Sequence, residues 1–503
     1  MEAYFQYRRL QQSNQERIQR KDSQTDLESS ESSDGEKAST SRFVEFEHCD
    51  PNDPRQWETR WKLFYTVIIW LLVFVTGWSS AADSTSHEVA ARHWGVSEVA
   101  ESLAASMYLF GVAFGAVVAG PCSETVGRLP TYLGTFAMFL IWTMASALAP
   151  TFGGQIVFRG LAGLFASASM SIYGGSLADM FETKTRALIW PFFALAPLLG
   201  PTIAPIVTGW LTQELGWRWD DWFTLIISGA AYLMAMAFLP ETFQPIILSY
   251  KAQMLREMTG DATYRAEFDE STNLSQRLAE NFRRIARFTF RESTTVLFGL
   301  YLTFLYLLIY GFLEGFDYIF TKTYTFNIGQ RYTAFAAVAV GIGLGLPYVV
   351  VVNRFVTRRD QTRTKGNGPL PESRLIPAVF ASPLLVIAMF WLGFTNRTDI
   401  SYFSSLGACC LFGFTLMALF TPTYHYLLDT YGTVASSALA AITFMRYLAS
   451  GGMVIATEPL YTALTVKWVL VLFGCIAAVL MPIPWIFWWF GARMRSKNPS
   501  YLG

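Results

Sequence analysis

Twelve uninterrupted apolar segments constrain this chain more than any other feature. They run at roughly 61–82, 98–120, 131–149, 153–179, 187–212, 222–240, 293–320, 332–352, 375–395, 401–428, 433–457 and 465–490. Each is long enough to cross the roughly 30 Å of hydrocarbon in a bilayer as a helix. A backbone in lipid must satisfy its own hydrogen bonds, so only helices or a closed barrel can span it. Runs this uniformly apolar lack the alternation a barrel strand needs. With 52% hydrophobic and 15% charged residues among 503, a water-soluble domain of this size is excluded. The expected fold class is all-α integral membrane, with twelve transmembrane helices in two six-helix halves.

The longest polar stretch inside the array, Glu241 to Arg291, parts the segments six from six. Two structural repeats about a central site are expected from such a division. The domain reading is a disordered cytosolic tail over 1–60, a first half over 61–240, a central cytosolic loop over 241–292, a second half over 293–490 and a short cytosolic tail over 491–503. The first tail holds a serine-rich acidic stretch, Ser23 to Ser41, too polar to fold alone, where disorder and phosphorylation are expected. Apolar sequence begins only near Leu63, so the first span, not a cleavable leader, is expected to target the chain.

Charge sets the orientation. If both termini are cytosolic, 30 of the 38 Lys and Arg residues lie on that face, six lie opposite, and Arg159 and Arg446 fall within spans. That bias agrees with the positive-inside rule. It places the sequon Asn396-Arg397-Thr398 outside, which makes Asn396 a glycosylation candidate. Zero formal net charge offers no attraction to nucleic acid. The five cysteines show no CxxC spacing or metal-ligand pattern, and no P-loop or nucleophile-and-base pair is readable. Neither an enzyme nor an ATP-driven pump is expected.

Between the second and third segments stands Gly120-Pro121-Cys122-Ser123-Glu124-Thr125-Val126-Gly127-Arg128-Leu129-Pro130. A tight turn of this kind, bounded by Gly120 and Gly127 and carrying Glu124 and Arg128, can lock neighbouring helix ends by a charge pair that breaks when two halves rock. Gly216-Trp217-Arg218-Trp219, Pro240-Glu241-Thr242, Tyr324-Thr325-Phe326-Asn327, Asp429-Thr430-Tyr431 and Ala435-Ser436-Ser437 recur at other span ends. With these stretches the chain resembles the twelve-span drug:proton antiporter family of the major facilitator superfamily, in its fungal multidrug and polyamine exporter-like branch. The resemblance covers about residues 51 to 490. Leu129 departs from it, standing where a second basic residue is usual.

The resemblance implies gating roles for Gly120, Glu124, Gly127, Arg128 and Asp429, and a proton-coupling role for Arg159. It also implies that Ala196-Pro197-Leu198-Leu199-Gly200-Pro201 is an antiporter motif, in which Pro197, Gly200 and Pro201 bend the helix and admit a close neighbour. The family's paired glycines are replaced by Ala204 and Pro205. Independently of the resemblance, an arginine in hydrocarbon costs a few kcal/mol and so must face a cavity or a partner. Candidate proton carriers are Asp83, Glu314, Asp317 and Glu458. Glu314 and Asp317 stand three apart on one helix face, where like charges would favour proton uptake by one of them.

Aromatic residues crowd mid-span positions: Trp78, Tyr108, Tyr306, Tyr310 and Tyr424, joined by His425 and Arg446. A cavity lined this way would bind flat or greasy molecules by dispersion and stacking. The expected function is proton-coupled efflux of a hydrophobic or amphipathic organic compound by a monomer in the plasma membrane, or alternatively the vacuolar membrane. The proton gradient would be its energy source, with no cofactor or metal. A carrier for polyamines, organic acids or another nutrient, and a non-transporting receptor-like sensor, are the rival readings.

Overall fold

The computed structural model describes residues 2–3, 5–15, 42–47, 50–266, 274–363, 371–431 and 435–496. Among them are twelve helices long and apolar enough to cross a membrane. The first six are Thr59–Thr85, Glu98–Val126, Arg128–Ala147, Phe152–Met180, Leu188–Leu215 and Arg218–Phe238. The second six are Ser293–Tyr324, Ile328–Arg359, Pro371–Thr395, Tyr402–Tyr431, Ser437–Ala463 and Val466–Met494. They are numbered here as the first to twelfth spans. The second, fourth and eighth begin at side-chain caps: Ser97 accepts from Ala100 N–H, Thr151 from Gly154 N–H, and Asn327 forms a reciprocal box with Gln330.

The two halves are built alike. In the first, the second and fourth spans meet backbone to backbone through glycine: a Cβ on Gly163 would lie 2.0 Å from the Tyr108 carbonyl oxygen. In the second half the eighth and tenth spans repeat the contact, and a Cβ on Gly341 would lie 2.0 Å from the Cys410 carbonyl oxygen. Small residues permit such approach where lipid supplies no hydrophobic drive between helices. Across the halves the second span packs along the eleventh and the fifth along the eighth. The face that carries the amino-terminal residues and the central loop is called the termini face below.

Part of the stretch expected to be unstructured is ordered. Helical residues 5–15 and the short strand Arg42–Phe43 lie against the central loop. Leu10 packs on Ile247 and Met254 of the loop helix Gln244–Thr259, and Gln6 exchanges two hydrogen bonds with the Glu241 backbone. The apolar face of this loop helix lies outside lipid and needs a cover, and the amino-terminal residues provide it. The serine-rich stretch Ser23 to Ser41 and Cys49 lie outside the described residues.

Gly163→Val should lower the melting temperature of detergent-purified protein and reduce its monodisperse fraction, because overpacking a closed contact costs about 1–3 kcal/mol. Gly120→Ala should change neither, since among the described residues no neighbouring element lies within 4 Å of that Cβ position. Equal stability of the two variants would mean that the close approach of the second and fourth spans does not hold the half together.

Candidate functional site

Arg159 is wholly buried in the fourth span, and its guanidinium is held on three sides. Nε lies 2.5 Å from Asp83 Oδ2 and Nη1 lies 3.2 Å from Asp221 Oδ1, while Nη2 donates to the Ser79 carbonyl at 2.9 Å. The Tyr108 ring covers it at 5.0 Å. Asp220, next in chain, turns away to accept from Thr212 Oγ1 at 2.9 Å and from Thr85 Oγ1 at 3.3 Å. One guanidinium therefore faces two carboxylates, and the excess negative charge is one that a proton can cancel. Removing one partner of such a buried set costs about 3–5 kcal/mol, and the sixth span supplies Asp221 to it from its first turn.

Beside this cluster, on the face opposite the termini, a cavity of about 320 Å³ is lined by Glu88, Glu98, Glu314, Asp317, Glu458 and the basic residues His87, Lys322 and Arg331. His87 sits on the short helix His87–Trp94 between the first two spans. Its Nδ1 lies 2.9 Å from Glu314 Oε2 of the seventh span, and Nε2 lies 3.4 Å from Glu101 Oε2 of the second. Burial alone would lower the His87 pKa, but the Glu314 and Glu101 carboxylates outweigh it and push the imidazole up to about 10. A charged imidazole thus joins the two halves. Glu101 in turn lies within electrostatic reach of Asp83 and Arg159, so charged groups extend from the cavity toward the buried cluster. Tyr332 Oη donating to the Ser84 carbonyl at 2.8 Å, and Trp210 Nε1 donating to Thr333 at 3.0 Å, add further bonds between the halves on this face.

The termini face carries a second kind of charge contact, and it occurs twice. Arg128 at the start of the third span pairs with Asp179 at the end of the fourth, 3.1 Å apart. Arg374 at the start of the ninth pairs with Asp429 at the end of the tenth, 3.2 Å apart. In the first half Glu241 completes the joint: its carboxylate accepts from the backbone N–H groups of Arg128 and Leu129 at 3.1 and 3.0 Å, and from Thr242 and Phe243. Gly127 turns there with φ +112°, and a Cβ would lie 2.7 Å from Glu241 Oε2, so only glycine fits. Burial pushes the Glu241 carboxyl up, and the four backbone donors oppose that shift.

At the centre, between the halves, Arg446 is buried among aromatic rings. Tyr306, Tyr447, Phe420 and Tyr424 surround its guanidinium at 4.0, 4.9, 5.5 and 5.6 Å, and Nη1 donates to Tyr424 Oη at 2.9 Å. Tyr306 Oη reaches the Pro197 carbonyl of the fifth span at 3.2 Å, and Tyr310 Oη meets Ser80 of the first at 2.6 Å.

Six helices and six, with one charged joint used in both, is an arrangement that sequence comparison can test. The pattern described as Major Facilitator Superfamily matches residues 68–454. The chain belongs to the Major Facilitator Superfamily. It is 40% identical over 454 residues to the MFS-type transporter kojT of Aspergillus oryzae, covering 89% of this chain and 80% of that one. It is 30% identical over 449 residues to the MFS-type transporter traF of Penicillium crustosum, covering 89% and 91%. Among solved structures, the partially occluded inward-open xylose transporter XylE from E. coli shares the fold with a TM-score of 0.61 at 16% identity, over 85% of this chain and 98% of that one. The human organic anion transporter MFSD10 does so at 0.58 and 17%, over 85% and 100%. The protein is accordingly a multi-pass membrane transporter of a small molecule, not an enzyme.

Within this superfamily frame, several expectations require correction. Glu314 and Asp317 do not form an isolated like-charged pair, because each has its own cation: His87 for Glu314, Arg331 and Lys322 for Asp317. A wide helical turn at Asp317–Thr321 separates the two directions. Gly120 and Glu124 are not in a turn, since the second span stays helical to Val126 and only Gly127 breaks it. Among the described residues, the contacts of Arg128 go to Ser123 and Asp179 of its own half and to Glu241 at the start of the central loop. His425 belongs with Asp429 at 3.9 Å near the termini face, and Trp78 bonds Thr224 inside the first half, so neither lines the central ring. Tyr108 covers Arg159. Gly200 and Pro201 sit against Gly77 of the first span. Asn396 donates its Nδ2 to the Ile319 carbonyl at 3.1 Å, the nitrogen a glycan would need.

Sequence reading missed Asp220, Asp221, His87, Glu101, Asp179 and Arg374. Two signals were available: paired acids inside the tryptophan-flanked start of a span, and an arginine–aspartate pair recurring at equivalent helix ends of both halves.

The His87 pKa is raised, so its contribution to the closed face is complete below its ordinary range and is lost as pH rises through about 10. Spin labels at Arg92 and Thr398 should keep one distance from about pH 6 to about pH 8 and separate only near pH 10. His87→Gln should separate them at neutral pH. No separation in that variant would leave Tyr332 and Trp210 as the contacts that shut this face. Separately, Glu241→Ala should lower the melting temperature by the equivalent of about 1–3 kcal/mol, with Glu241→Gln between it and wild type. An unchanged melting temperature in both would remove Glu241 as the organiser of the joint.

Proposed function

We propose that the chain is a proton-coupled exporter of a small organic molecule, placed in the plasma membrane and working by alternating access. The observation that carries this reading is the Arg159 cluster: one buried guanidinium against Asp83 and Asp221, reached from the opposite face through Glu314, His87 and Glu101. A proton entering that row neutralises the excess charge, releases one carboxylate from Arg159 and loosens the first span from the fourth and sixth. A carrier couples two solutes when each changes the balance between its two states. The resemblance to fungal drug:proton antiporters supplies the export direction. Relatives named MFS-type transporters in Aspergillus and Penicillium support transport as the activity.

The test uses inside-out vesicles from cells expressing the full chain, an imposed acid-inside gradient, and radiolabelled benzoate and tetraphenylphosphonium as probes. Wild type should concentrate at least one probe, and a protonophore should collapse it. Asp221→Asn should lose about tenfold of the uphill accumulation while retaining probe exchange at equilibrium, because the barrier to proton release changes and the cargo site does not. Arg159→Lys should resemble it, since a point charge cannot serve two carboxylates as a planar fork does. Accumulation indifferent to the gradient, or undiminished in Asp221→Asn, would refute proton coupling through this cluster.

A further inference from the structure

We infer that the ring around Arg446 is the binding site for a small planar organic anion, a carboxylate carried on a flat ring. The inference rests on the transporter reading above and names the class of its cargo. Arg159, Arg128, Arg374 and Arg331 each face a carboxylate. Arg446 does not: among the described residues no Asp or Glu lies within ion-pair distance of it, although it is 3% exposed and mid-span. Its neighbours are ring faces and the hydroxyls of Tyr424 and Tyr447, and among the described residues its Nε has no hydrogen-bond acceptor.

A guanidinium in hydrocarbon without an anion costs a few kcal/mol. Aromatic faces offset part of this, at about 0.5–2 kcal/mol each. They do not satisfy an N–H donor. A second buried donor without an acceptor, Trp190 Nε1 of the fifth span, lies on the ring stacked against Tyr424 at 6.4 Å. Two unmet donors and an unmatched positive charge ask for an acceptor that carries negative charge. The flat walls ask that it come on a flat ring. A cationic cargo would meet repulsion here, so the acids lining the outer cavity do not make this central position a polyamine site.

The same ring joins the halves. Tyr306 bonds the Pro197 carbonyl, and Tyr447 Oη meets Met170 Sδ at 3.0 Å. An anion seated on Arg446 therefore lies beside the bonds that must break when the halves rock, which is where cargo has to sit to influence the change of state.

The experiment is equilibrium binding of radiolabelled benzoate to the purified full-length chain, with unlabelled benzamide, benzamidine and chloride as competitors. Benzoate should be preferred over its neutral and cationic isosteres by about tenfold or more, and chloride should compete poorly for want of a ring. Arg446→Lys should keep part of the preference and Arg446→Met should lose it, each judged only as monodisperse protein. Equal competition by benzamide or benzamidine in wild type, displacement by chloride as effective as by benzoate, absence of benzoate binding, or an anion preference that survives Arg446→Met would each overturn the inference. The wild-type competition needs no variant to fold. The two readings fail separately: benzoate preference without sensitivity to a pH gradient leaves the anion site standing and removes proton coupling. Gradient-driven transport without anion preference does the reverse.

Discussion

An ionised side chain in hydrocarbon must find a counter-charge, a donor or an acceptor within the protein, because lipid offers none, and each unmatched group costs several kcal/mol. The working parts of this transporter follow from how that demand is met. Arg159 draws the first, fourth and sixth spans together through Asp83 and Asp221. Arg128 and Arg374 fasten the third span to the fourth and the ninth to the tenth. Arg331 holds Asp317 across the start of the eighth span. These pairs do more than balance charge, since each joins helices that greasy surfaces alone would not select.

Repetition and departure from it divide the labour. The glycine-mediated approach and the arginine–aspartate joint occur in both halves, as expected of parts that shape a half and keep its helix ends together. The buried guanidiniums differ. In the first half Arg159 faces two carboxylates, and in the second Arg446 faces aromatic rings. One half thus carries the excess negative charge suited to a proton and the other the unmatched positive charge suited to an anion. The bonds of Tyr306, Tyr310 and Tyr447 to the first half lie between them.

The termini face has an unusual addition. Glu241 follows the sixth span, caps the start of the third, and offers its own backbone to Gln6 of the amino-terminal helix. Lys251 of the loop helix and Asp50 form a buried pair 2.7 Å apart in the same region. The chain before the first span and the loop between the halves are thereby tied to the joint at Arg128.

Spans and their division into six and six were legible in the sequence, because the length of an apolar run and the placement of charge are one-dimensional properties that a bilayer reads directly. So was the isolation of Arg159 and Arg446 within apolar runs, as the cost of burying a charge depends on its surroundings and not on its partner's identity. Partners were not legible. Asp83 and Asp221 are far apart in the chain, and His87 looks like an ordinary loop residue until the seventh span brings Glu314 to it. Glu314 and Asp317 share a helix face in sequence, yet a wide turn and two different cations part them. The sequence by itself determined a twelve-span membrane protein with two arginines in need of company. Tertiary structure decided that one received carboxylates and the other aromatic rings, because helix packing alone sets which side chains come within the few ångströms over which ion pairs and hydrogen bonds act.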